Sequence, residues 1–540
     1  MKKSLICLLI FVFILFLFPT INAATINANS CSLEDVQKAI DAAEPGDVVR
    51  VPAGNCVWGT GRRTIDSGFY VYPSLAINKS LALIGEGINK TNITCTHNQS
   101  AIIYKPANFS ANDPFRISGF TFDFDDQCTG IRLSYSYTDL TIQTKIRIDH
   151  NHFKDSASQA LTINGYRGVA DHNIFTGTDY PIRFASGDDH DWWQNWEGIV
   201  FGKADNNFYF EDNIIEAYDA MVDCQYGNRY AFRYNTIRAL GPASYPLMDM
   251  HGDVGTESGG CAYRSCFGSE IYGNHISLNS GYADFRGGKH AIFYNYISKT
   301  GNFWGLRDSE GVSLGWEACD CVYCDTDNPQ PQHISDSYSW NNRGSSLTGP
   351  ISNFYSRGFA DCVEKCGYIV NENDEFFNFN PSFDGTSGVG CDTLSERPGT
   401  CTFGVGYWAT AQSCSDLTGF VGANHTNIIS GTLYKCTSPN TWTVYYTPYI
   451  YPHPLSVAPS GTNICDEGKI ISECWCEGLK SVGYCYNGYY STEEGDRIIE
   501  PPVEQFVTIQ EMLNAYQNYK RNEVSILYFL DKLRNWIVFW

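Results

Sequence analysis

Hydrophobic and polar positions alternate along much of this chain in short runs, and six of the runs close on one signal, Asn-x-(Ile/Phe). They are KIRIDHNHF (145–153), RGVADHNIF (167–175), NFYFEDNII (207–215), NRYAFRYNTI (228–237), GSEIYGNHI (268–276) and KHAIFYNYI (289–297). The asparagines stand at 151, 173, 213, 235, 274 and 295, so three of the five gaps are 21 or 22 residues and the others, 39 and 40, are near double. A period of two reads as strand. Strands recurring about every 20 residues read as a solenoid, in which each unit buries its apolar face only on its neighbours. An Asn stacked at one turn of every coil satisfies its amide through its neighbours and its own backbone. The predicted fold class is all-β, a right-handed parallel β-helix.

Counting back from each Asn, positions −5 and −3 are mostly apolar (Ile146/Ile148, Phe208/Phe210, Tyr230/Phe232) and are expected inside. Positions −6, −4 and −2 then point outward. Column −6 reads Lys145, Arg167, Asn207, Arg229, Gly268, Lys289; column −2 reads Asp149, Asp171, Glu211, Arg233, Tyr272, Phe293. Coils about 4.8 Å apart set the three carboxylates side by side. There they repel unless protonated, screened or bridged by a cation. Two readings stay open: a solvated face of crossed charge pairs, or a calcium or uronate groove with Asp149, Asp171 and Glu211 as metal ligands and Arg233 at its end.

The chain opens with Lys2-Lys3, an apolar run from Leu5 to Phe18, Pro19 and the exit Asn22-Ala23-Ala24. Residues 1–23 read as a secretory signal peptide, with an uncleaved anchor as the other reading of so long a run. Loss of Cys7 with the signal leaves 20 of the 21 cysteines, an even number that suits an oxidising compartment. Sequons stand at Asn78, Asn89, Asn92, Asn98, Asn108 and Asn424. The balance of 37 basic against 59 acidic residues, net −22, repels polyanions, so no nucleic acid is expected as a partner.

Ser32 is the expected N-cap, with Asp35 at the capping-box position, of a short helix to Ala43. Such a helix would cover the open end of a solenoid. Cys31 and Cys56 flank this helix and the first strand and are expected to pair. The body is assigned to 24–460, with a cysteine-rich insertion at about 319–436 carrying nine cysteines, read as disulfide-held loops. Local pairs Cys362–Cys366, Cys391–Cys401 and Cys414–Cys436 are expected there. Residues 461–490 form a small four-cysteine module, read as two disulfides rather than zinc. Residues 491–540 read as a linker and an amphipathic helical hairpin (508–520, 524–538), which either packs on the body or attaches the protein to a surface.

The run SLEDVQKAIDAAEPGDVVRVPAG (32–54), followed by LALIGEG (81–87), resembles the first coils of pectate-lyase-like β-helix proteins. The later coils are similar to the large group of secreted right-handed β-helix repeat proteins, over roughly residues 30–455. The resemblance implies polysaccharide chemistry. Lyases of this fold use a basic residue to take the proton α to a uronate carboxylate, which calcium or a cation cluster neutralises. Carried over, Arg286 or Lys289 would be the base, with Asp223 and Asp249 around the subsite. The Arg-x-Pro-x-x-Arg strip of pectate lyases is absent from the sequence, as are the acidic trio and Gly-His-Gly of polygalacturonase-type hydrolases; only His251-Gly252 hints at the latter.

Two segments carry candidate chemistry. MDMHGD (248–253), read as a turn inserted between coils, crowds Asp249, His251 and Asp253. It could orient an imidazole for proton transfer, hold a metal, or be a hydrogen-bonded turn. DFRGGKH (284–290) aligns Arg286 over Tyr226, Lys289 over Arg229 and Asp284 over Cys224. Arg229, Arg286 and Lys289 are the expected partners of a sugar carboxylate. Trp192, Trp193, Trp196, Trp304 and Trp316 are either sugar-stacking platforms or core anchors. The expected function is a secreted or cell-surface protein that cleaves an extracellular acidic polysaccharide by β-elimination or hydrolysis, with calcium as a candidate cofactor. The competing class is a non-catalytic adhesin or carbohydrate-binding β-helix.

Overall fold

The computed structural model describes residues 23–456 apart from 67–68, 135–140, 157, 179, 186–201, 203–206, 218–219, 226, 240–245, 253, 256–260, 264, 279–280, 299–301, 308–333, 345–352, 357–369 and 423–425, together with strands 484–486 and 489–491. The leader, Trp192, Trp193, Trp196, Trp316, Cys362–Cys366, Asn424 and the helical tail lie outside the described residues. The chain divides into units Met1–Val457 and Ala458–Trp540. Of the second, only the antiparallel hairpin Tyr484–Tyr486/Tyr489–Ser491 is described.

Three long sheets wind around the first unit, each parallel throughout. Sheet I has 12 strands, from Thr25–Asn27 to Phe376–Asn378; sheet II has nine, from Gly54–Trp58 to Tyr296–Ile297; sheet III has ten, from Leu75–Ile77 to Phe354–Ser356. Nine successive coils each contribute one strand to every sheet, with incomplete coils at both ends, which is the parallel β-helix the pattern predicted. Its core is the inward column of every strand: Ile146, Ile148, Phe208, Phe210, Tyr230 and Phe232 are all fully buried. Inside sheet II, Phe122, Phe153 and Phe175 stack ring on ring at 5.8 and 5.0 Å.

The asparagine ladder closes as its spacing implied. Asn151, Asn173, Asn213, Asn235, Asn274 and Asn295 are buried, and each takes a backbone N–H from the preceding rung or gives its amide to the next. The Asn213 Oδ1, for example, accepts from Asn173 N–H at 2.9 Å and from Asn173 Nδ2 at 3.1 Å. The residue before each Asn carries a left-handed backbone, from His150 (φ 52°) to Tyr294 (φ 54°), which turns the chain from sheet I to sheet II. Asn342 adds a rung that the sequence pattern missed, because Arg343-Gly344 follows it instead of an apolar residue.

The helix Leu33–Ala42 caps the first coil with Val36, Ala39 and Ile40 buried, and Cys31–Cys56 ties it to the first strand of sheet II. Ser32 accepts from Asp35 N–H at 3.2 Å, while the Asp35 side chain turns to Ser30 rather than closing a capping box.

The cysteine-rich stretch departs from loops. Its strands Ser337–Trp340 and Phe376–Asn378 continue sheet I. Val389–Asp392, Gly406–Ala409, Thr432–Ser438 and Thr441–Tyr446 then build a separate four-stranded sheet, whose Trp408 packs on Phe293 and Trp340. Here the expected pairing is corrected: the disulfides are Cys391–Cys414 and Cys401–Cys436. Sequence nearness misled, because the turn at Gly404 lies against strand Thr432–Ser438, with Gly404 N–H on Cys436 O at 2.8 Å, and so brings Cys401 to Cys436.

Candidate active site

Met248–His251 is not part of an inserted turn, and Asp253 lies outside the described residues. Met248–Met250 is a strand of sheet III, hydrogen-bonded between Val222–Cys224 and Ala283–Phe285. In each triplet the outer residues point into the core, so the middle one points out, and Asp223, Asp249 and Asp284 stand on three successive rungs. Two residues further on, the same face carries Gln225, His251, Arg286 and Arg307 in a second column. The sequence alignment that set Asp284 over Cys224 skipped the Met248–Met250 rung and slipped by one position, which inverts the facing of a strand.

The two segments read separately in the sequence are therefore one site. His251 Nε2 lies 3.2 Å from an Asp223 oxygen and 3.4 Å from an Asp249 oxygen, so a proton on it is shared between two carboxylates. Arg286 donates to Asp249 and to the Met250 carbonyl, and Arg307 reaches Asp284 at 2.6 Å. On the rung before Asp223, Arg183 lies 3.2 Å from its carboxylate, and Gln225 Nε2 donates to it from the neighbouring column. Burial pushes the Asp223 carboxyl up, but the hydrogen bond and charge of His251, with Arg183 and Gln225, hold it below its ordinary value. Asp284 is buried, whereas the side chains of Asp249, His251 and Arg183 keep 17%, 24% and 32% of their surface open.

Other expected site residues go elsewhere. Lys289 is on sheet I, not beside Arg286, and pairs with Asp336 at 3.2 Å, which Lys435 also holds. Arg229 is buried, and burial together with Arg167 pushes its guanidinium down, so it is no open anchor for a sugar. Trp304 faces the core, packed on Phe303 and Phe285, and offers no stacking surface.

The column Asp149, Asp171, Glu211 does face outward, yet all three are fully buried. Asp149 takes Arg116 Nε at 2.6 Å, and Asp171 takes Arg147 through two bonds at 3.0 and 2.8 Å. Glu211 Oε2 takes Arg233 twice, at 2.8 and 2.6 Å, while its Oε1 takes His453 N–H and the Ser456 hydroxyl. Residues 447–456 cross this face as a strap, and Arg233 also donates to the carbonyls of Tyr449 and Ile450. Burial pushes Asp149 and Asp171 up, but the arginine charges outweigh it and hold both low. Carboxylates closed by guanidinium groups do not fit a calcium ion, which asks for six to eight oxygens, and Arg233 is likewise sealed from any substrate. Cys95, His97 and Cys128 converge as well, but the two sulfurs are bonded to each other. His97 Nδ1 accepts Gln99 N–H, so Nε2 keeps its proton.

Asp284, Arg307, Arg183 and Gln225 complete the site but were not chosen from the sequence. The signal was present: Val-Asp-Cys, Met-Asp-Met and Ala-Asp-Phe are three apolar-flanked aspartates, each followed by a polar residue. Their spacing of 26 and 35 residues, stretched by insertions, hid the period.

No family model and no curated relative matches this chain. Among solved structures it is similar to ORF18 of Geobacillus virus E2, at 13% identity over 78% of this chain and 76% of that one, TM-score 0.33. It is similar to the A-module of mannuronan C-5 epimerase AlgE4 of Azotobacter vinelandii, at 12% identity over 60% and 87%, TM-score 0.33. It is also similar to the catalytic unit of a thermostable GH87 α-1,3-glucanase of Streptomyces thermodiastaticus, at 12% identity over 66% and 69%, TM-score 0.30. Likeness at this level says nothing of the chemistry here; the parallel register above stands on its own.

Proposed function

We propose that this protein cleaves a polysaccharide by acid–base chemistry on the outer face of sheet III, with hydrolysis of a glycosidic bond as the reaction. The observation that carries the reading is His251 held between Asp223 and Asp249, with Asp284 on the next rung. Glycoside hydrolysis asks for one group that protonates the leaving oxygen and one carboxylate that activates water or stabilises the sugar cation. Asp249, clamped by Arg286, supplies the carboxylate; His251 carries the mobile proton. Adjacent rungs are about 4.8 Å apart, so Asp223, Asp249 and His251 all reach one bond.

The arginines are poor candidates for the base of a β-elimination. Arg286 and Arg307 each sit on a carboxylate, and a guanidinium beside an anion does not give up its proton. An elimination at this site would use His251 as base. With Arg183, Arg286 and Arg307 neutralised by the aspartates and a net charge of −22, the site suits a neutral glycan better than the acidic polymer expected from sequence. Five disulfides among the described residues support an oxidising compartment, and so an extracellular substrate.

The test is a screen of neutral and acidic polysaccharides, with and without calcium, reading new reducing ends and unsaturated uronates separately. Reducing ends without unsaturation, lost in Asp249→Asn and His251→Gln, would establish the hydrolase. Unsaturated products lost in His251→Gln would establish elimination instead. Retained binding with no product on any polymer would leave a carbohydrate-binding β-helix and overturn the catalytic reading.

A further inference from the structure

A different pair of side chains lies on the turn between sheets I and II. His150 and His172 precede ladder asparagines on successive rungs, and their imidazoles lie parallel, 1° between planes and 5.0 Å between centroids. His150 Nδ1 is 2.8 Å from Asp149 Oδ2, and His172 Nδ1 is 3.0 Å from Asp171 Oδ2. Both carboxylates already accept from arginines, so they are anions with no proton to offer. Each Nδ1 is therefore the N–H donor, which leaves the lone pair of the neutral ring on Nε2. A carboxylate that fixes the tautomer and raises the basicity of the far nitrogen is the usual outer support of a metal-binding histidine. Here that support is present twice, on neighbouring rungs.

The rings are within reach of solvent, with 20% and 39% of the side-chain surface open. An ion bound by two imidazoles holds its nitrogens about 2.0–2.1 Å away, a span that rotation of two side chains on rungs about 4.8 Å apart can close. On the third rung of this column stands Asp212, whose carboxyl accepts from the Tyr451 hydroxyl at 2.8 Å. We propose that His150 and His172 together bind one divalent transition-metal ion, with water in its remaining positions. Imidazole nitrogen selects copper and zinc over calcium or magnesium, copper the more tightly.

Parallel rings also occur where only packing is involved: His275 and Tyr296 on sheet II stack at 4.8 Å with 2° between planes. That pair supplies the control. The full chain is titrated with zinc chloride, with calorimetry for affinity and native mass spectrometry for stoichiometry. His150→Asn and His172→Asn are the variants, since Asn tolerates the left-handed backbone at both positions but cannot replace an imidazole. Each is expected to weaken the tightest zinc site at least about tenfold, while His275→Asn leaves it unchanged. Equal uptake in both variants and wild type, or equal loss in His275→Asn, overturns the proposal. Should the variants fold poorly, copper(II) bound to the wild-type chain decides it by electron paramagnetic resonance. Coupling to two imidazole nitrogens is expected; none or one overturns it.

Discussion

Sheets I and III each carry three acidic side chains on successive rungs, and the two columns have opposite fates. On sheet I, Asp149, Asp171 and Glu211 are wholly buried and neutralised by Arg116, Arg147 and Arg233, and the strap 447–456 closes over Glu211. On sheet III, Asp223, Asp249 and Asp284 also meet arginines, but a histidine sits between the first two and Asp249 stays partly open. Stacked carboxylates alone therefore say little. What separates a rivet from a reactive site is whether a proton-carrying group bridges two carboxylates and whether water reaches a carboxylate itself. His150 and His172 each meet one wholly buried acid, whereas His251 lies between two, one of them open.

The comparison breaks most sharply in activity. Asp249→Asn keeps the shape and removes the charge, so turnover should fall by ~10²–10⁴, while stability falls less than in a sheet I variant because Arg286 keeps Asp284 at 4.0 Å. Glu211→Gln should do the reverse. It leaves Arg233 buried without its counter-charge, at a cost of about 3–5 kcal/mol in unfolding free energy by denaturant titration, with turnover per folded molecule unchanged. Loss of activity in Glu211→Gln at full folding would mean that the sheet I column belongs to the reactive machinery after all.

The sequence made the sheet I column easy to see and the sheet III column hard. Asp149, Asp171 and Glu211 sit two residues before ladder asparagines, at a fixed offset from a repeated landmark. The triplets of sheet III have no such landmark. They are three-residue strands between insertions of unequal length, so counting along the chain could not phase them. The inward columns, the capping helix, the Cys31–Cys56 bond and the asparagine ladder were legible because they depend on period two and on local chemistry. The burial of Glu211 was not, because the strap that covers it comes more than 200 residues later. Cys401 and Cys436 lie only 35 residues apart, but their pairing was hidden because it depends on a sheet that only the fold assembles.

The edge of the strap gives a pH dependence of its own. Burial, with help from Glu211 and Asp171 and against His172 and the Tyr451 hydroxyl, raises the Asp212 carboxyl to about 7. A raised acid favours the fold while protonated. Its contribution is complete below the unfolded value near 3.8 and is lost as pH rises through about 7. Unfolding free energy should thus fall between pH 4 and 8 by a few kcal/mol at most. Asp212→Asn should flatten that slope; an unchanged slope would place the titration elsewhere.

The smallest expected effects come from the same subtraction made on both sheets, one neutral donor taken from one carboxylate. Ser456→Ala removes a hydroxyl from Glu211 Oε1, which still accepts His453 N–H, while Arg233 keeps both bonds to Oε2. The loss should be about 1 kcal/mol of stability, with no change in the pH profile of turnover. Gln225→Ala removes a donor from Asp223, whose carboxyl is held low partly by that bond. Stability should hardly respond there, but the acid limb of kcat/KM should move to higher pH, because the anion has lost a partner that favoured it. A shift in stability on sheet III with an unmoved acid limb would place Asp223 among the rivets, alongside the column of sheet I.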